Sequence, residues 1–150
     1  MSNDDIIDTL NDLIETSKDG EYGFRTSAEY LRDPTLVQSF TTRAEECRQA
    51  ATELQQLVQR LGGDAEDGGT AAGALHRGWV AVKGTLAGYT DKAILEETER
   101  GEDSALASYR KALDEDLPGD VRMVVERQYE GVKRNHQQVR SLRDAARAAA

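Results

Sequence analysis

From residue 3 to residue 32 the chain places small or apolar side chains at intervals of three, four or seven. Ile6, Leu10, Leu13, Ser17, Phe24, Ala28 and Leu31 keep this spacing, with charged residues between them. Only an α-helix puts such positions on one face, and a stretch this long sets the size of whatever the chain builds. The pattern breaks at Asp33-Pro34 and restarts at once. The residue before a proline leaves the helical region, Asp can cap, and proline is tolerated in a first turn. A second helix is predicted to about Leu61 on Val37, Phe40, Ala44, Cys47, Ala51, Leu54, Val58 and Leu61. So short a connection makes the two helices antiparallel neighbours.

Gly62-Gly63 ends that helix, and GGDAEDGG follows as a polar loop. Thr70 can cap a shorter helix to about Ala87, carried by Leu75, Trp79, Val82 and Leu86. A further helix is expected over 92–114 with Asp91 as its cap. The turn Leu117-Pro118-Gly119 precedes a last helix on Val121, Val124, Val125, Val132, Val139 and Leu142. Residues 143–150 are expected to fray. Residues 70–87 can be a bundle member or a crossover; the crossover is preferred, and with it the second and third long helices run parallel. The predicted fold is all-α, a ferritin-like four-helix bundle formed by one domain over residues 1–150.

Composition agrees and narrows the function. Two prolines, a hydrophobic content of 38% and few β-branched runs suit helices. The net charge of −9 argues against nucleic acid or an anionic membrane as partner. Residues 1–33 carry nine acids and three bases, whereas residues 118–150 carry four acids and seven bases. The two ends are therefore complementary in sign, although solvated faces are the better account of such charges. The acidic start MSNDDIIDTL lacks the basic region of a signal peptide, and no apolar run reaches the length of a membrane span. A cytoplasmic protein is expected. The single cysteine, Cys47, lies on an apolar stripe and reads as a small buried hydrophobe. Trp79 reads as a packing anchor.

One position departs from the pattern. Leu95, Glu102, Leu106, Tyr109 and Leu113 share a helix face, so a carboxylate points where the leucines point. Burying a charge is costly unless it gains a partner or a metal. With the crossover topology as a ruler, Glu21 lies about 18 Å below the Asp33 turn and Glu102 about 16 Å below the same end. His136, about 15 Å from the end of its helix, falls at the same level. Glu21, Glu102 and His136 are the candidate metal ligands, for iron or manganese; Gln128 and Ser17 face the same interior. Ion pairing of Glu21 or Glu102 with Arg25 or Arg43 competes with that reading. Dinuclear carboxylate sites in bundles use Glu-x-x-His on two helices. Here His76 is preceded at that spacing by Gly73, and His136 by Lys133. No catalytic triad, phosphate loop or basic patch with aromatics is present.

Three segments in order, LNDLIETSKDGEYGF, GALHRGW and ERGEDSALASYRKAL followed by Leu117-Pro118, resemble an uncharacterised bacterial family of ferritin-like four-helix-bundle proteins, a domain of unknown function. The likeness spans about Ile6 to Leu142 and implies the ferritin-like fold without an activity. Glu21 and Glu102 can occupy two glutamate positions, while neither Glu-x-x-His pair has a match. Two function classes follow. The first is a non-catalytic, stress-associated bundle acting through self-association or a protein partner. The alternative is a metal-binding bundle with oxidoreductase-type activity at an inner carboxylate layer.

Overall fold

The computed structural model describes residues 1–66 and 88–149. Helix α1 spans Asn3–Tyr30 and α2 spans Pro34–Arg60. Helix α3 spans Asp91–Leu113 and α4 spans Gly119–Ala149. The expected helix at 70–87, with His76 and Trp79, lies outside the described residues.

Local chemistry sets the helix ends. Ser2 caps α1 in a reciprocal box: its hydroxyl accepts from the Asp5 N–H while the Asp5 carboxylate accepts from the Ser2 N–H. Asp33 caps α2, accepting from the Thr35 N–H, with Pro34 in the first turn. Gly62 closes α2 at φ +82°, the left-handed conformation that glycine adopts without strain. The Gly63 N–H then reaches the Val58 carbonyl and the Gly62 N–H the Gln59 carbonyl, the paired bonds of a Schellman ending.

Asp91 does not cap α3 as its position implied; Thr90 does, accepting from the Ala93 N–H. Asp91 is the first helical residue, and its two carboxylate oxygens accept from the backbone N–H groups of Arg32 and Asp33 at 2.9 and 3.0 Å. That clamp fixes the topology. The start of α3 lies at the α1–α2 turn, so α3 runs parallel to α2 and antiparallel to α1. Residues 61–66 sit at the opposite end, where Asn3 and Asn11 donate to the carbonyls of Leu61 and Asp64. The connection between α2 and α3 therefore joins opposite ends of the bundle, the crossover arrangement predicted from sequence.

At the far end Arg122 donates to the carbonyls of Leu113 and Glu115 and ties α4 to the end of α3. The last turns, where fraying was expected, are helical to Ala149; Arg147 pairs with Glu96, and Arg143 with Glu99. The basic end of α4 thus meets α3, and Arg127 meets Glu53 of α2. The acidic face of α1 takes no part in these pairs, because α1 packs mainly on α2 and α3.

Two apolar clusters make the core. Near the α3–α4 turn, Ile6, Leu10, Leu13, Ile14, Leu54, Val58, Tyr109, Val121 and Val125 pack together. Near the α1–α2 turn, Phe24, Phe40, Ala44, Ile94, Leu95 and Val139 do the same, with Phe24 edge-on to Phe40. Between them all four helices turn smaller or polar residues inward. This waist holds Ser17, Cys47, Glu102 and Gln128.

Candidate functional site in the polar waist

The waist contains a hydrogen-bonded chain that crosses the bundle. The Tyr109 hydroxyl of α3 donates to Gln128 Oε1 of α4 at 2.8 Å. Gln128 Nε2 donates to Glu53 Oε1 of α2 at 2.7 Å and to the Ala50 carbonyl at 3.3 Å. Ser17 Oγ of α1 lies 3.4 Å from the Tyr109 oxygen. Burial pushes the Tyr109 hydroxyl up to about 12, so it stays protonated and keeps donating. Every polar atom of Gln128 is satisfied, which is what makes a buried amide tolerable.

Glu102 is different. It is 6% exposed, and its Oε1 has no hydrogen-bond partner among the described residues. Burial pushes its carboxyl up to about 8; Arg43 opposes that shift, while Asp103 and Glu99 add to it. Arg43, itself buried, spends its own donors elsewhere, on Gln138 and on Glu46 at 3.5 Å. At neutral pH the Glu102 carboxyl is therefore mostly protonated.

The other predicted ligands are engaged. Glu21 accepts from Arg25 at 2.7 Å, the pairing that competed with a metal in the sequence. His136 Nε2 lies 2.6 Å from Asp103 Oδ1, an exposed carboxylate next to Glu102 in sequence. Cys47 feels both predicted glutamates, and burial with Glu102, Glu46 and Glu21 pushes its thiol up to about 12. His136 does not join them, being held by Asp103. Among the described residues, no three His, Cys, Asp or Glu side chains converge closely enough to hold a metal ion.

Sequence reasoning passed over Glu99, which is buried and bonded to Arg143, with Arg140 at 3.9 Å. The signal was present, since Leu95, Glu99, Glu102 and Leu106 also follow the three-and-four spacing. Leu113, assigned to the same stripe, is only partly buried, and Ala112 takes the inward place.

Residues 5–115 match the model of a domain of unknown function, DUF2383. The chain belongs to that family. No curated protein matches it. Among solved structures, a point mutant of Mycobacterium smegmatis Dps1 is similar, with 16% identity and a TM-score of 0.78 over 95% of this chain and 99% of that one. The bacterioferritin-related protein of Bacteroides fragilis, a dodecameric thioferritin, has 16% identity and a TM-score of 0.79 over 99% of this chain and 90% of that one. The DUF2383 chain has the ferritin-like four-helix-bundle fold. No helix among its described residues is long and apolar enough to cross a membrane.

The waist of this DUF2383 protein does not fit a dinuclear metal centre. Such a centre takes a glutamate from each of two helices and Glu-x-x-His from each of the others. Here α2 faces Glu102 with the Arg43 guanidinium, and the imidazole of α4 is turned to Asp103. A guanidinium near Glu102 already offsets part of its charge, which lowers what a divalent metal ion would gain there.

Proposed function

We propose that the protein is a non-catalytic ferritin-like bundle that works by self-association. The observation that carries this reading is the internal commitment of the waist. Glu21 is bonded to Arg25, Glu99 to Arg143 and His136 to Asp103, so groups of the type that would hold iron or manganese have partners within the chain. Support for assembly comes from the Bacteroides fragilis thioferritin, which is dodecameric and is matched over 90% of its length. Sedimentation of the full chain across protein and salt concentrations tests it. A defined oligomer is expected, and a strictly monomeric species under all conditions sinks the proposal.

The metal-binding alternative, with iron or manganese at Glu21, Glu102 and His136, retains one observation in its favour. Glu102 Oε1 is buried without a partner, which a cation would correct. Elemental analysis of protein purified without chelators separates the two. Stoichiometric iron or manganese in the wild type, lost in Glu102→Ala, would replace the non-catalytic reading.

A further inference from the structure

The waist holds a cavity of about 960 Å³, open on one side to solvent and at the upper end of the range for small-molecule sites. It exists because the helices face one another with very small side chains there. Gly20, Gly101, Gly131 and Ala105 line it, where the apolar clusters have leucine, isoleucine or phenylalanine. At Gly20 the helices are so close that a Cβ would lie 2.9 Å from Cys47 Sγ, whereas at Gly101 it would meet nothing within 4 Å. The walls combine apolar surface from Phe24 and Val132 with hydroxyls and carboxyls.

Small residues alone would leave this a packing gap. Glu102 makes it more. It lines the cavity, is 6% exposed, and keeps Oε1 without a hydrogen bond among the described residues. A buried acceptor left open is costly unless something enters to meet it. The sign of the walls says what. Among the described residues, five carboxyl side chains line the cavity against three arginines, and two of those, Arg100 and Arg127, are committed to Glu97 and Glu53. The cavity therefore favours a cation over an anion. A metal ion needs several converging hard donors, and no such group of three exists among the described residues. An ammonium group needs one carboxyl, which Glu102 supplies by releasing its proton to solvent as the ammonium enters, and an apolar wall for the body that carries it.

We propose that this cavity binds a small organic amine, its ammonium against Glu102 and its apolar body against Phe24 and Val132. The site does not rest on the self-association argued above, because a single chain supplies every residue that lines it.

Benzylamine, benzyl alcohol and benzoate, nearly equal in size and different in charge, test it by calorimetric titration of the full chain. Benzylamine is expected to bind one-to-one, at least about tenfold tighter than the other two, the usual margin for a charge-assisted hydrogen bond. Glu102→Gln keeps the shape but cannot ionise to meet an ammonium, and should bring benzylamine down to the level of benzyl alcohol. Gly101→Leu adds bulk at the cavity wall while favouring the helix; it should weaken benzylamine binding with Glu102 intact and helicity retained. If Glu102→Gln does not fold, Gly101→Leu decides by itself. Equal binding of all three probes, benzylamine binding untouched by both substitutions, or Glu102-dependent binding of Mn²⁺ in place of benzylamine would each overturn the proposal.

Discussion

The two apolar clusters and the waist between them are built from the same four helices, yet they solve opposite problems. In the clusters, Leu10, Phe40, Leu54 and Ile94 are fully buried and fill the space between helices. In the waist the helices present glycine, alanine, serine and a few polar groups, and the space is filled poorly. The clusters supply hydrophobic stabilisation, roughly 25 cal/mol for each Å² of apolar surface removed from water. The waist forgoes that gain and retains a buried carboxyl. A bundle of this length stays folded with a weak middle because the turns, caps and clamps at both ends hold the helices in register.

The sharpest way to break the comparison is to move a cavity from one region to the other. Phe40→Ala, in the middle of a close-packed cluster, is expected to cost about 3–5 kcal/mol, read as a lower urea midpoint with an unchanged slope. A smaller effect tests the waist through pH. Glu102 titrates near 8 in the folded chain against an ordinary value of 4.5, so the folded state holds a proton that the unfolded state releases. Its contribution is complete below pH 4.5 and is lost as pH rises to 8, on the order of 2–4 kcal/mol once water entering the cavity is allowed for. Urea unfolding from pH 4.5 to pH 9 should show this decline, and Glu102→Gln should flatten it. An unchanged slope in that variant would mean another group titrates.

Next in size is Tyr109→Phe. It keeps the ring and removes the donor to Gln128 Oε1, for a loss of about 1–2 kcal/mol; Tyr109→Phe together with Gln128→Leu should cost less than the two changes separately. Smallest is the end of α2. Gly62→Ala places a side chain at φ +82° and should lower stability by about 1 kcal/mol, read as a small drop in Tm. A larger loss there than at Tyr109 would mean that the helix ends, more than the waist, limit stability.

Much of the bundle was legible before any coordinates. The Asp33-Pro34 break and the Gly62-Gly63 ending follow from capping chemistry, whereas the parallel course of α2 and α3 rests on preferring a crossover at 70–87 to a fifth bundle member. The inward direction of Glu102, Ser17 and Gln128 was readable too, because helical periodicity acts within a single element. What escaped was partnership. Asp91 looked like a cap and is a clamp on the neighbouring turn, since its carboxylate found backbone N–H groups from another helix. His136 looked like a third ligand and is held by Asp103. Glu99 followed the stripe as well as Glu102 did, and its Arg143 partner lies on a different helix, far away in sequence.

By itself, then, the sequence determined four long helices, most of their ends and the presence of polar residues at mid-height. Those features depend on the 3.6-residue repeat and on chemistry within a few residues. Only the tertiary structure decided that Glu99 meets Arg143, that Arg43 leaves one Glu102 oxygen open, and that glycines on three helices coincide to leave a cavity. Pairing and empty volume depend on the rotation of each helix about its own axis and on where side chains from several helices meet. No spacing along one chain segment contains that information.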